Sequence, residues 1–319
     1  MSNTPEGKQY LYGTTLTFKI LTLAAVTSVF LLVTVGVTVR VTESGLGCPD
    51  WPLCHGQIIP PFEYHAILEY SHRLVASLVG LLVALSALWS WLFYRDRNLI
   101  VRPIFGAAIL VVVAALLGRA AVLSELSPNI VTLHLAIAET VFALLIISTA
   151  SAWSENLGDT TVENERDRKK LLLLSQISAI SVSIIVLSGS YVVNQGATAV
   201  CTSWPLCGGV SGGIIPGNGL EWTHMIHRFL SAGGILIVAW LVFQIWTNTR
   251  FSGMLAQIGS FVLLILILQI LVGASHLWFN FPVIVRIVHL SLATVLWGGL
   301  VLLVTLLWVN KSKSHQASV

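Results

Sequence analysis

Long apolar runs broken by short polar stretches organise this chain. A helix crossing a bilayer takes ~20 residues, and runs of that length recur eight times: 18–40, 65–94, 101–123, 129–153, 171–194, 220–247, 254–277 and 282–309. Apolar stretches this long predict membrane spans rather than core helices of a soluble domain. The expected fold is an all-α polytopic membrane protein, with eight transmembrane helices forming two tandem four-helix bundles of parallel topology. The first dozen residues are polar and carry no cleavable-signal pattern. The run from Phe18 is too long for a signal h-region and reads as a retained span.

Composition agrees: 55% of the 319 residues are hydrophobic and 10% are charged. The net charge of +3 is small and scattered near segment ends, which excludes nucleic acid as a partner. Those end charges set orientation. Lys8 and Lys19 flank the start of span one; Arg95, Arg97 and Arg102 follow span two. Arg166, Arg168, Lys169 and Lys170 precede span five, Arg250 follows span six, and Lys311 and Lys313 follow span eight. The positive-inside bias makes these regions cytoplasmic. Both termini are then inside, and the loops 41–64 and 195–219 are outside. No Arg/Ser-rich transit segment precedes span one, so a bacterial plasma membrane is expected. The one long charged stretch, Ser154 to Lys170, divides the chain into an N-terminal four-helix repeat (1–153), a cytoplasmic linker (154–170) and a C-terminal four-helix repeat (171–319).

The two halves match in detail. Cys48-Pro-Asp-Trp-Pro-Leu-Cys54 aligns with Cys201-Thr-Ser-Trp-Pro-Leu-Cys207 at an offset of 153 (201 − 48). Ser71-His72-Arg73 aligns with Ile226-His227-Arg228 at 155, and Leu117-Gly118 with Val272-Gly273 at 155. Each half has an even number of spans, so the repeats are parallel.

Within the halves, four histidines fall on a grid. His72 and His134 are 62 residues apart (134 − 72), as are His227 and His289 (289 − 227). An ionisable side chain in an apolar span is costly and marks function. At 1.5 Å per residue, His72 lies ~10 Å into its span and His134 ~8 Å into its own, both from the outer side. The rings of each pair can therefore meet at one level inside a four-helix bundle, where cofactors are held between facing side chains. Two histidines supply the two axial ligands of a heme iron. Zinc or copper usually takes three or four ligands, and no third histidine or cysteine recurs at this depth in both halves. His55, His65 and His276 have no histidine mate. Arg73 and Arg228 follow two of the histidines. Their guanidinium groups suit heme propionates or, equally, snorkelling to phosphate and water.

All four cysteines lie in the two outer loops, on the oxidising side, so disulfides Cys48–Cys54 and Cys201–Cys207 are expected. They are structural staples over the pocket or thiol–disulfide redox groups. Glu69 sits three residues before His72, while the equivalent position in the second half is His224. A carboxylate there can stabilise positive charge or move protons at a heme edge, or simply favour a helix N-terminus. Glu139, near mid-span, is a buried polar contact or part of a proton path.

Glu69-Tyr-Ser-His72-Arg73, the loop from Thr42 through Cys48 and Cys54 to Gly56, and Met225-Ile-His227-Arg228 together resemble the heme A synthase family over nearly the whole chain. The resemblance implies oxidation of the C8 methyl of heme O to a formyl group, giving heme A for terminal oxidases. Successive hydroxylations and loss of water would accomplish it. It further implies that His72 and His134 bind substrate heme O, that His227 and His289 bind a heme b cofactor through its iron, and that Glu69 is catalytic. The cysteine pairs occur in only part of that family. No Gly-rich dinucleotide fingerprint is present, so the electron donor is external. Heme O synthase, oxidase assembly factors and membrane lipid are the implied partners, with a homo-oligomer left open. Two other classes fit parts of the pattern. A di-heme b electron-transfer protein fits the histidines, and a transporter with related halves fits the duplication but not the histidines.

Overall fold

The computed structural model describes residues 13–154, 162, 164–208, 215–249 and 253–316, with side chains as far as 309. Lys8, Arg250 and part of the expected linker lie outside the described residues, as do the side chains of Lys311 and Lys313. The described chain is all helical apart from loops. Its eight helices are α1 (Leu16–Val41), α2 (Tyr64–Tyr94), α3 (Asn98–Leu123), α4 (Pro128–Trp153), α5 (Glu165–Asn194), α6 (Gly219–Thr249), α7 (Gly253–Trp278) and α8 (Val283–Gln316). All eight are long and apolar enough to cross a membrane.

Polar side chains survive in these spans because they satisfy themselves locally. Thr34, Thr38, Ser86, Ser178 and Thr305 each donate their hydroxyl to the carbonyl four residues earlier. This removes an unpaired donor from a setting without water. Two boundaries differ from the hydropathy reading. Helix α5 starts at Glu165, so 165–170 is helix rather than linker. Asn164 caps it by accepting from the Arg166 N–H, and Glu165 and Asp167 sit in the first turn, where the helix dipole favours carboxylates. The buried Arg168 guanidinium then donates to Glu165 and to the Leu307 carbonyl of α8, tying this end down. Helix α8 likewise runs past 309 to Gln316.

Packing closes one ring of helices through α1, α2, α3 and α4 and another through α5, α6, α7 and α8. The rings meet through α4 on α8, α1 on α8 and α4 on α5. Exchanging helices 1–4 for 5–8 leaves that set of contacts unchanged. Helix α8 is central: 67% of its membrane window is buried, against at most 33% in any other helix. The large exposed residues, such as Leu31, Leu81, Leu116, Leu236 and Leu264, form the apolar outer surface expected in hydrocarbon.

At the α4–α8 seam, backbones approach closely. A Cβ on Gly298 would sit 2.9 Å from the Phe142 ring. Glu139 and Thr294 also meet here. Both are buried, and the Thr294 hydroxyl donates to Glu139 Oε1 at 2.6 Å. Their separation, 155 (294 − 139), is the repeat offset of the histidines. Equivalent positions of the two halves therefore touch each other. Of the two roles open to Glu139, the buried polar contact is the one with a visible partner, while its Oε2 has none among the described residues.

Removing the donor alone should cost more than removing both groups, because a buried polar atom left unsatisfied carries its full desolvation penalty. Thr294→Val should destabilise the detergent-solubilised protein by about 1–3 kcal/mol, and Glu139→Leu combined with Thr294→Val by less. Thermal unfolding of the single and double variants checks this. An additive or larger loss in the double variant contradicts it.

Candidate functional site

His72 projects from α2 and His134 from α4, two helices on opposite corners of the first ring. Their ring centroids are 6.5 Å apart, at 73°. His227 on α6 and His289 on α8 occupy the matching corners of the second ring. All four line a cavity of about 1050 Å³ whose other walls are mostly aliphatic, from Val29 and Val33 to Leu290 and Ala293. Nδ1 of His72, His134 and His289 is buried without a hydrogen-bond partner among the described residues. Such atoms are rare in finished interiors.

Each ring lies against a glycine on the preceding helix. An ideal Cβ would stand 3.1 Å from His72 Cε1 at Gly36, 3.5 Å from His134 Cε1 at Gly118, 2.9 Å from His227 Cε1 at Gly189 and 3.1 Å from His289 Cε1 at Gly273. Here glycine supplies room for an imidazole edge beside the backbone. Cavity size, apolar walls, paired imidazoles and four such slots fit a large flat cofactor ligated from two sides. Among the described residues, no three His, Cys, Asp or Glu side chains converge on a metal ion.

The α1–α2 and α5–α6 loops roof the cavity. Disulfides join Cys48 to Cys54 and Cys201 to Cys207, with all four sulfurs buried. Trp51, Pro52, Trp204 and Pro205 line the cavity from above. Arg73 clamps the first loop by donating to the carbonyls of Cys48, Asp50 and Leu53, and it pairs with Glu69 Oε1 at 2.6 Å. Glu69 Oε2 accepts the Cys48 N–H at 2.8 Å. Arg228 clamps the second loop through the carbonyls of Ser203, Pro205 and Leu206. Gly47 admits no side chain, since a Cβ would collide with the His65 carbonyl. Asp50 accepts the N–H groups of His55 and Gly56. The Gly56 N–H foremost, then that of His55, holds the Asp50 carboxyl below the usual range. Its support for the loop is therefore complete above the ordinary aspartate value and is lost as pH falls through the lower folded one.

The halves diverge where chemistry could differ. Glu69 is buried at 4% exposure and reaches the cavity; His224 in its place bonds through Nδ1 to the Ala197 carbonyl. His276, opposite Ala121 in the repeat, stacks edge-on 5.0 Å from His289. Gln269, opposite Ala114, places Nε2 at 3.4 Å from His289 Nε2.

The structure thus collects Glu69, His72, Arg73, His134, His227, Arg228 and His289 around one cavity and sets the four cysteines in its roof. Gly36, Gly189, Gln269 and the cavity position of His276 escaped the sequence reading, which used Gly118 and Gly273 only to align the halves. Comparison of the halves does carry a signal for the glycines, since Gly36 and Gly189 recur at an offset of 153 and Gly118 and Gly273 at 155. His276 and Gln269 stand opposite alanines, a difference a single sequence does not interpret.

An eight-span helical membrane protein with two histidine pairs under disulfide-stapled loops is the class these features define. Residues 19–301 match the COX15-CtaA family, described as cytochrome oxidase assembly proteins, and the chain belongs to that family. Curated relatives named heme A synthase match along most of their length. The relative from Alkalihalophilus pseudofirmus is 30% identical over 284 residues, covering 87% of this chain and 93% of its own. That from Exiguobacterium sibiricum is 31% identical, covering 85% and 89%. That from Shouchella clausii is 32% identical over 301 residues, covering 89% and 95%. The resemblance carried by the loop and histidine motifs is borne out.

The glycine distances rank the slots. Gly189→Ala, at 2.9 Å, should displace His227 and lower bound heme per polypeptide. Gly118→Ala, at 3.5 Å, is ordinary van der Waals contact and should leave heme content near wild type. Heme quantification on the purified variants checks the order, which equal loss at both positions would contradict.

Proposed function

We propose that this chain is a membrane oxidoreductase that converts heme O to heme A, oxidising the C8 methyl to a formyl group. The observation that carries the reading is two pairs of buried histidines around one cavity, in a chain similar throughout to proteins named heme A synthase. Residues 1–153 form the half that takes substrate heme, through His72 and His134. Residues 171–319 form the half that keeps a heme b cofactor, through His227 and His289. A bound heme b supplies one-electron transfer, and an external donor feeds it. The unlike surroundings support the split: a carboxylate, Glu69, enters the first half, whereas the imidazoles of His224 and His276 and the amide of Gln269 crowd the second.

Glu69 would act from the roof. Its two oxygens are held by Arg73 and the Cys48 N–H, so it is preorganised rather than mobile. A fixed carboxylate at a cavity wall stabilises positive charge developing beside it and accepts a proton from the reacting edge. Arg73 and Arg228, pinned by loop carbonyls, stand at the cavity wall, where propionates would find guanidinium groups. The cysteine loops face the outside of a bacterial plasma membrane and both termini face the cytoplasm. The basic residues Arg95, Arg97, Arg166 and Lys169 gathered at the opposite helix ends support this, as do the two disulfides.

Two outcomes test the assignment. His227→Ala with His289→Ala should remove a tightly bound heme b, read from the low-spin absorption spectrum. Glu69→Gln should keep that heme while heme A yield from supplied heme O falls about 100-fold or more, as expected for loss of a proton-transferring group. Extracted hemes identified by mass decide between this reading and a di-heme carrier. Only unaltered heme b, in wild type supplied with heme O, would favour the carrier.

A further inference from the structure

The two ring slots behind His72 and His227 are lined differently. Gly36 and Gly189 occupy equivalent positions, each against the Cε1 edge of its histidine. One residue earlier the halves part: Val35 in α1, Ser188 in α5. The Ser188 hydroxyl lies 2.8 Å from His227 Nδ1 and also donates to the Ile185 carbonyl at 2.8 Å. A hydroxyl has one proton. With that proton on Ile185, its oxygen accepts from Nδ1–H of His227. The ring is then held in the tautomer whose bare nitrogen is Nε2. His72 Nδ1 is buried and has no partner among the described residues. Valine at 35 has no group to offer it.

We infer that Ser188 is a positioning residue that makes the C-terminal site the retaining one, by fixing the tautomer and orientation of His227. The inference rests on the reading that His227 ligates a heme. Ser188 does not line the cavity, so it acts through the imidazole and not on the heme itself. Hydrogen bonding to the far nitrogen of a ligating histidine raises its basicity, strengthens the metal bond and tunes the iron potential. Loss of such an outer partner typically costs 10–100-fold in affinity. A ring without this support binds more weakly. That suits a site whose heme must arrive as substrate and leave as product, while the supported ring suits a cofactor that stays. One hydroxyl thus distinguishes what stands behind the two rings.

The test uses the full-length protein in detergent and two readouts: transfer of heme b to excess apomyoglobin, and the midpoint potential of the low-spin heme. Ser188→Ala should speed transfer about 10-fold or more and raise the potential, because the ligand donates less charge to ferric iron. Ser188→Thr, which keeps the hydroxyl, should restore both. Val35→Ser should slow transfer from the N-terminal site, a gain that misfolding cannot imitate. Unchanged transfer and potential in Ser188→Ala, with heme b lost in His227→Ala, overturns the role of Ser188 alone. Heme b retained in His227→Ala overturns the ligand assignment and the inference with it.

Discussion

The structure depends on placing imidazole rings inside hydrocarbon at fixed orientation. A buried ring that wobbles loses dispersion contacts and leaves its nitrogens unsatisfied, both of which cost stability. The remedy here is repeated four times: a glycine on the preceding helix lets the Cε1 edge lie against a helix backbone. That contact sets the distance between α1 and α2, α3 and α4, α5 and α6, and α7 and α8 at the level of the cavity. Bulkier residues there would widen the ring or turn the histidine away from its centre.

From that constraint the remaining architecture follows in layers. Histidines on diagonal helices need four helices in a closed ring, so that both approach one space from opposite corners. Two such rings share a seam, and α8, which also carries His289, is the helix most enclosed by it. Glu139 and Thr294 lie on α4 and α8 at equivalent positions and meet each other. Contact between equivalent positions is the geometry of a local twofold relation. One hydrogen bond therefore links the helices that carry a histidine from each half. The cavity is completed by the two loops that join α1 to α2 and α5 to α6. They are stiffened by a disulfide each and held down by Arg73 and Arg228, about two and a half turns into α2 and α6.

Near-symmetry at the ligands sits beside asymmetry around them. Glu69 faces His224 across the repeat, Val35 faces Ser188, Ala121 faces His276 and Ala114 faces Gln269. None of these changes disturbs a helix or a ring slot, so the scaffold tolerates them. Each changes hydrogen bonding or charge beside one histidine pair only. A duplicated scaffold with unlike surroundings can hold two similar molecules with different affinity and reactivity, which an enzyme acting on a heme while using another requires.

Hydropathy alone determined the number of spans, their rough limits and, with the repeat offset, the histidine grid. The cysteine spacing and Glu69 were equally legible, because local sequence decides them. The start of α5 at Glu165 was not, since capping by Asn164 and the buried Arg168 outweigh the polarity of 165–170. Only the tertiary structure decided that glycines face the rings, that Glu139 meets Thr294, that Arg73 and Arg228 grip loop carbonyls and that Ser188 stands behind His227. The physical reason lies in the solvent. In a membrane, lipid-facing and interior-facing surfaces are both apolar, so periodicity says that a helix spans but not how it is rotated. Rotation is set by side chains packing against neighbouring helices, and in this protein that packing chose which polar groups meet.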